Sequence, residues 1–334
     1  MKGDNYSAWD IDEKDFPKDG TLEKKIQFII GYGILAPSTH NTQPWKYSIH
    51  DNILKISIDP KLKLSEADPE GRGESISLGC FVANVLAAAS EFGLEAKVVE
   101  SSKSHHPVCV EFAVSKRAAS GFSKAHAMVK RYSDKRIYLN SIVKNQHKTQ
   151  ILGLKTSLDT KLKLIEDKDM VFNLAGLQRD ATLCYAGNRR FFAELSEWLK
   201  PSNTKLSEGM PGFVVGLSAP KSIVFRVLIK NLKPAAKLLA KKDYESVSTS
   251  PMIGIIGTDR DDKTSWFNTG RYYEDIALEA TACGLVITPL AAIIENKQQR
   301  KKLAESVGLK NPQMFFRIGY SGNKPYHTPR RAVV

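Results

Sequence analysis

Ala36-Pro-Ser-Thr-His-Asn-Thr-Gln-Pro-Trp45 separates two regular patterns. Upstream, Leu22, Ile26, Ile29, Ile30, Tyr32 and Gly33 recur at helical spacing. Asp19 or Thr21 stands at the cap position, so a helix is predicted from Thr21 until Pro37 stops it. Downstream, Trp45 to Ile49 and Leu54 to Ile58 read as two strands joined by a turn at His50-Asp51-Asn52. Pro37 and Pro44 both disfavour helix for the residues before them. Between them lie six polar side chains, Ser38, Thr39, His40, Asn41, Thr42 and Gln43. Such a run suits the polar edge of a flat, heteroatom-rich ligand. An Asx or Ser/Thr turn joining helix to strand explains it equally without a ligand.

Composition bounds the answer. At roughly 150 residues per domain, a chain of 334 residues makes two domain-sized units or one large one. It carries 49 Lys or Arg against 36 Asp or Glu, a net charge of +13, which favours an anionic partner: nucleotide, nucleic acid or lipid headgroup. Cys80, Cys109, Cys184 and Cys283 are scattered. They read as reduced, mostly buried residues rather than metal ligands or disulfides. The adjacent His105 and His106 make poor joint ligands, and no metal site is expected. Met1 to Pro17 lacks a basic-then-apolar signal, no apolar run reaches bilayer-spanning length, and a cytoplasmic protein is expected. Zinc-finger spacing, RNP-like aromatics and basic-region heptads are absent, so no nucleic-acid partner is expected.

Further along, residues 65–75 read as a charged loop, and a long apolar helix spans about Ser77 to Phe92, closed by Gly93. Strands are predicted at 107–114, 251–258 and 314–319, and helices at 143–156, 173–200 and 267–283. Gly79 to Leu94 superimposes without a gap on Gly270 to Leu285, each pair 191 positions apart. The shared frame includes Phe81 with Tyr272, Asn84 with Asp275, Ala89 with Ala280 and a Gly-Leu cap. That order points to a duplicated α+β unit, with a chance likeness of two Ala-rich helices as the alternative.

Gly31-Tyr-Gly-Ile-Leu-Ala36 fits the dinucleotide pattern G-x-G-x-x-A, but Pro37 stands where the phosphate-binding helix would have to open, so that reading is rejected. A better phosphate candidate is Lys130-Arg-Tyr-Ser-Asp-Lys-Arg136, where Arg131, Ser133 and Lys135 share one face of an extended segment. A solvated basic loop is its plain alternative. Residues 200–245 are the most irregular part of the chain: Pro201 to Pro220 is loop-like, and Lys221 to Lys242 is an apolar stretch with a basic residue every three to five positions. It reads as a lid over a site, in preference to a segment lying on an anionic membrane surface.

Pro37-Ser-Thr-His-Asn-Thr-Gln-Pro-Trp45 and Arg131-x-Ser133-x-Lys135 together resemble the two FMN-binding motifs of the nitroreductase-like superfamily. Each half of this chain has one motif and lacks the other, an arrangement similar to the Acg-type family, in which both subunits of the usual dimer are fused. The likeness covers most of residues 21–334 and includes Asp68-Pro-Glu-Gly-Arg72 and Tyr326-His-Thr-Pro-Arg-Arg331. It implies an α+β nitroreductase-like fold, a central mainly antiparallel sheet with flanking helices, duplicated as two pseudo-symmetric halves in one chain. The expected organisation is an arm at 1–20, a first half at 21–120, and a second half at 121–334 with a lid insertion at 200–245. It implies one composite FMN site, with NAD(P)H as co-substrate and a quinone, nitroaromatic or similar small molecule as electron acceptor. A flavin-storage protein with little turnover is the alternative.

By the same resemblance Pro37, Ser38, Thr39, Asn41 and Gln43 wrap the ring, and Lys135 faces its N1/C2=O edge. Arg131, Ser133, Arg330 and Arg331 hold the phosphate. Thr288, Pro289 and Leu290 lie near N5, although Ala291 and Ala292 replace the family's acidic-Gly pair. No side chain is expected to act as a nucleophile, and His40 is at most a proton donor. A monomeric pseudo-dimer or a homodimer is implied.

Overall fold

The computed structural model describes residues 4–99, 108–115, 123–154, 156, 159–229 and 233–333; His105, His106 and Pro107 lie outside them. The first half runs α1 (Leu22–Gly33), β1 (Trp45–His50), β2 (Ile53–Ile58), α2 (Arg72–Glu91), β3 (Leu94–Val99), β4 (Val108–Val114) and α3 (Ser123–Lys130). Thr21 is the cap of α1, its hydroxyl accepting the Lys24 N–H at 3.3 Å. Next come α4 (Asn145–Leu152), β5 (Thr160–Ile165), α5 (Lys168–Leu183), α6 (Arg189–Trp198), β6 (Leu199–Lys200), β7 (Met210–Pro211), α7 (Ala219–Leu228) and α8 (Lys233–Ser248). The chain closes with β8 (Met252–Thr258), α9 (Lys263–Ala282), β9 (Val286–Pro289), α10 (Ala292–Glu295), α11 (Lys297–Val307) and β10 (Asn311–Gly319).

The main strands form two sheets, one in each half, as a duplicated unit requires. Their orders are β1-β2-β4-β3 and β5-β8-β10-β9, with every neighbour antiparallel. Counted within its own half, each sheet runs first, second, fourth, third. The connection between the first two strands differs. Asp51-Asn52 suffices in the first half, whereas residues 166–251 intervene in the second. That segment contains α5 and α6 as well as the 200–245 stretch expected as a lid insertion. Asn188 caps α6, accepting the Phe191 N–H at 3.0 Å, and so breaks the single helix predicted over 173–200.

The halves meet along α2 and α9. Both helices are 20 residues long, with their ends offset by the same 191 positions as the sequence match. A Cβ on Gly79 would lie 2.1 Å from the Phe267 carbonyl oxygen, and one on Gly270 would lie 2.0 Å from that of Ile76. Only glycine permits so close an approach of two backbones. Around the crossing, Phe81, Tyr273, Ile276, Ala277 and Phe316 join one apolar core that contains residues of both halves. Past each helix end, Gly93 and Gly284 take φ 73°, the left-handed conformation that stops a helix.

Three other expectations are corrected. α2 starts at Arg72, inside the presumed charged loop, because the Asp68 carboxylate accepts the Glu74 N–H at 2.9 Å. By length and composition α2 could cross a membrane, yet 72% of its apolar stretch is buried inside the protein. The N-terminal arm is fastened down: Trp9 is buried, stacks on His327 at 4.0 Å and donates to the Thr328 carbonyl at 2.9 Å. Of the four free cysteines Cys80 is buried, whereas Cys184 is exposed.

Replacing Gly270 by Ala should destabilise the protein by roughly 2–3 kcal/mol, since neither backbone can yield without opening the core. Gly176→Ala in α5, where a Cβ meets nothing within 4 Å, should be neutral or slightly stabilising. Thermal denaturation of the two variants checks this; equal melting temperatures would show that the crossing is not tight.

Candidate functional site

The polar loop is held in an unfavourable backbone conformation. His40, Asn41 and Gln43 have φ of 52°, 56° and 53°, and non-glycine residues in this region cost about 1–3 kcal/mol each. Local and distant hydrogen bonds offset that cost. Ser38 Oγ accepts the Gln43 N–H at 2.9 Å. The Asn41 amide donates to the carbonyls of Gly209 and Pro329, both at 3.0 Å. Its oxygen accepts from Arg330 at 2.7 Å. Gln43 donates to the Ser207 carbonyl at 2.6 Å and accepts the Arg331 N–H at 2.9 Å. The loop is thus a junction of the first half, the 166–251 segment and the C-terminal tail.

Asn41 and Arg131 share this place. Arg131 and Arg330 both donate to the Leu35 carbonyl, at 2.8 and 3.2 Å, and Arg330 then reaches Asn41. Arg131 also pairs with Glu274 of α9 at 3.2 Å. Glu274 is fully buried, and desolvation raises its carboxyl to about 7 against the pull of Arg131. Burial, reinforced by Arg131, lowers Arg330 to about 9, so it stays cationic at neutral pH.

Lys135 is presented differently. Its side chain keeps access to solvent, yet surrounding protein lowers its ammonium below the ordinary value, with Asp243 opposing. Its Nζ contacts Met210 Sδ at 3.7 Å, a weak acceptor, and no carboxylate bridges it among the described residues. The backbone on either side of Lys135 is clamped by Arg317, fully buried on β10, which donates to the carbonyls of Asp134 at 2.8 Å and Arg136 at 3.3 Å. Beside it, burial and Lys135 lower His40 to about 3. The imidazole is neutral at physiological pH, and its Nδ1 is buried without a hydrogen-bond partner.

The residues singled out from sequence therefore differ in exposure. Ser38, Thr39, Ser133 and Lys135 retain solvent access, as does Arg331, whose guanidinium pairs with Glu208 and bonds the carbonyls of Thr42 and Gln43 at 3.2 and 3.3 Å. Pro37, Pro289 and Leu290 are half-buried, and Leu290 packs against a separate apolar cluster that includes Ile255, Ile293 and Phe315. Asn41, Gln43, Arg131, Thr288 and Arg330 are buried. Most of their polar groups are engaged with protein, although Nε of Arg131 and of Arg330 is buried without a hydrogen-bond partner. For Thr288 the partners are the Asp134 carbonyl at 2.9 Å and the Tyr138 hydroxyl at 2.7 Å. Sequence reasoning missed Glu208, Met210, Asp243, Glu274 and Arg317. Arg317, a lone cation in an otherwise apolar strand, was the one signal available.

No family model matches the chain. A Mycobacterium tuberculosis protein named "Putative NAD(P)H nitroreductase acg" is 24% identical, over 89% of this chain and 90% of its own length. "Probable NAD(P)H nitroreductase PigM" of Serratia sp. is 25% identical, over 93% and 92%. Among solved structures, an FMN-bound nitroreductase from Desulfitobacterium hafniense is 12% identical, over 62% of this chain and 94% of that one, with a TM-score of 0.40.

The raised Glu274 carboxyl has a signed consequence. Its contribution to stability is complete below about pH 4.5 and is lost as pH rises through about 7. The stability of the wild type relative to Glu274→Gln should therefore fall by a few kcal/mol across that window. Denaturant unfolding at several pH values measures it; a difference that does not vary with pH would contradict the buried, proton-holding assignment.

Proposed function

We propose, because this chain belongs to the nitroreductase-like superfamily, that it is an FMN-dependent oxidoreductase taking electrons from NAD(P)H at one site built by both halves. The observation that carries this is the convergence of 38–43, 131–138, Thr288 and 328–331 near the solvent-facing Lys135. The groups present suit FMN: an ammonium whose neighbour is a thioether, an unpartnered imidazole nitrogen and a half-exposed arginine. Bound FMN supplies hydride acceptance and onward electron transfer to a quinone, nitroaromatic or similar acceptor.

The chain's own task is to bind and orient. Lys135 stabilises negative charge at the N1/C2=O edge, and Arg317 fixes the backbone that presents it. Ser38, Thr39 and neutral His40 line the ring edge. Ser133 and Arg331 serve the phosphate. Asn41, Gln43, Arg131, Thr288 and Arg330 act one step back, holding the loop, tail and second half in register. Residues 207–210 lie over the loop and exclude water as a cover. The fused halves replace the two subunits of a dimer, and the cytoplasm is the fitting compartment.

A storage protein is the second reading, favoured by the cover's fastenings: the Ser207 and Gly209 carbonyls on Gln43 and Asn41, and Glu208 on Arg331. Steady-state NAD(P)H oxidation by the FMN-loaded protein with a quinone separates the two. Turnover is expected, with Lys135→Met lowering kcat by about 10- to 100-fold. A loaded protein that is inert toward both NADH and NADPH would establish storage instead.

A further inference from the structure

We infer that α7 is a docking surface for anionic lipid. Its Ile223, Val224, Val227 and Leu228 are 51%, 56%, 64% and 47% exposed. Their spacing puts all four on one side of the helix. The opposite side accounts for how the helix is held. Phe225 and Ile229 pack with Phe192 of α6 and Ala235 and Ala236 of α8, and Arg226 Nε donates to the Ser196 carbonyl at 2.9 Å. The outward apolar row is therefore not an unfinished core. An apolar groove of about 210 Å³ runs beside it, lined by Pro201, Ile223, Arg226 and Val227.

Charge selects the occupant. From Ala219 to Lys242 the sequence holds seven Lys or Arg and no Asp or Glu, more than half of the chain's net +13. Lys221 at the start of α7 and Lys237 and Lys241 on α8 are exposed. A second copy of this chain would bring like charges together around the apolar row, whereas an anionic bilayer surface complements both features. An apolar face sunk into the headgroup boundary with lysines around it is the geometry of an interfacial helix, and each lysine near such a surface adds attraction that salt weakens. The cover over the loop and this outer surface are separate parts of one inserted segment. Docking thus stands whether or not the flavin site turns over.

Co-sedimentation of the purified full-length chain with phosphatidylcholine vesicles, with and without phosphatidylglycerol, tests this. The protein should pellet with the anionic vesicles at low salt and dissociate as salt rises. Val224→Asp/Val227→Asp should weaken binding at least tenfold, as should Lys221→Glu/Lys237→Glu. Because the altered side chains are exposed, melting temperature and circular dichroism should stay those of the wild type, which excludes misfolding as the cause. Absence of binding at low salt would overturn the inference, as would binding indifferent to these variants. A concentration-dependent dimer abolished by Val224→Asp/Val227→Asp would also overturn it, showing that a second copy covers the face.

Discussion

The backbones of α2 and α9 touch at Gly79 and Gly270, and the rest of the architecture follows from that contact. Each glycine lies against the other helix's backbone, with the nearest carbonyls at Phe267 and Ile76. The contact joins the cores of two antiparallel layers into one. It also brings the end of α1 against the segment after α3, where Arg131 and Arg330 share the Leu35 carbonyl. A loop from one half and a cationic strip from the other are neighbours because two helices can approach this closely.

That junction is costly to maintain. Two arginines and a glutamate are buried there, and desolvation of such groups can exceed what their attraction returns. Three non-glycine residues in left-handed conformation add strain. Strain concentrated in one polar loop, and offset by contacts from three separate parts of the chain, is the pattern expected where a ligand must meet a preformed surface. The solvent-facing members, Lys135 above all, are held from behind: Arg317 and Thr288 both bind the Asp134 carbonyl. The extra segment adds a second layer, with Met210 placed beside the lysine.

Much of this was legible in the sequence because it depends on local patterns. The 191-residue offset marked α2 and α9 and their C-terminal ends, since apolar periodicity and a C-terminal glycine are local signals, although both helices start four or five residues earlier than expected. Pro44 marked the start of β1 correctly, whereas α1 ends at Gly33, short of Pro37. What the sequence hid was long-range. Nothing local shows that Asn41 and Gln43 spend their amides on carbonyls at 207, 209 and 329, or that Arg131 turns inward to Glu274. A motif names residue types, whereas their direction is set by whichever partner the fold brings near. The repeated strand order was likewise invisible, because the segment at 166–251 separates two strands that are adjacent in space. Trp9 misled for a related reason: a polar N-terminal stretch carries one aromatic whose partners, His327 and Thr328, lie at the other end of the chain.

The proposed function requires a single cofactor site shared by two unequal halves, each supplying what the other lacks. Flavin released from purified protein and counted against chains measures this directly. About one FMN per chain is predicted, from one loop meeting one cationic strip. Two per chain would mean that each half holds its own flavin, and a chain that cannot be loaded with any would mean that the junction at Asn41, Arg330 and Arg131 serves the fold alone.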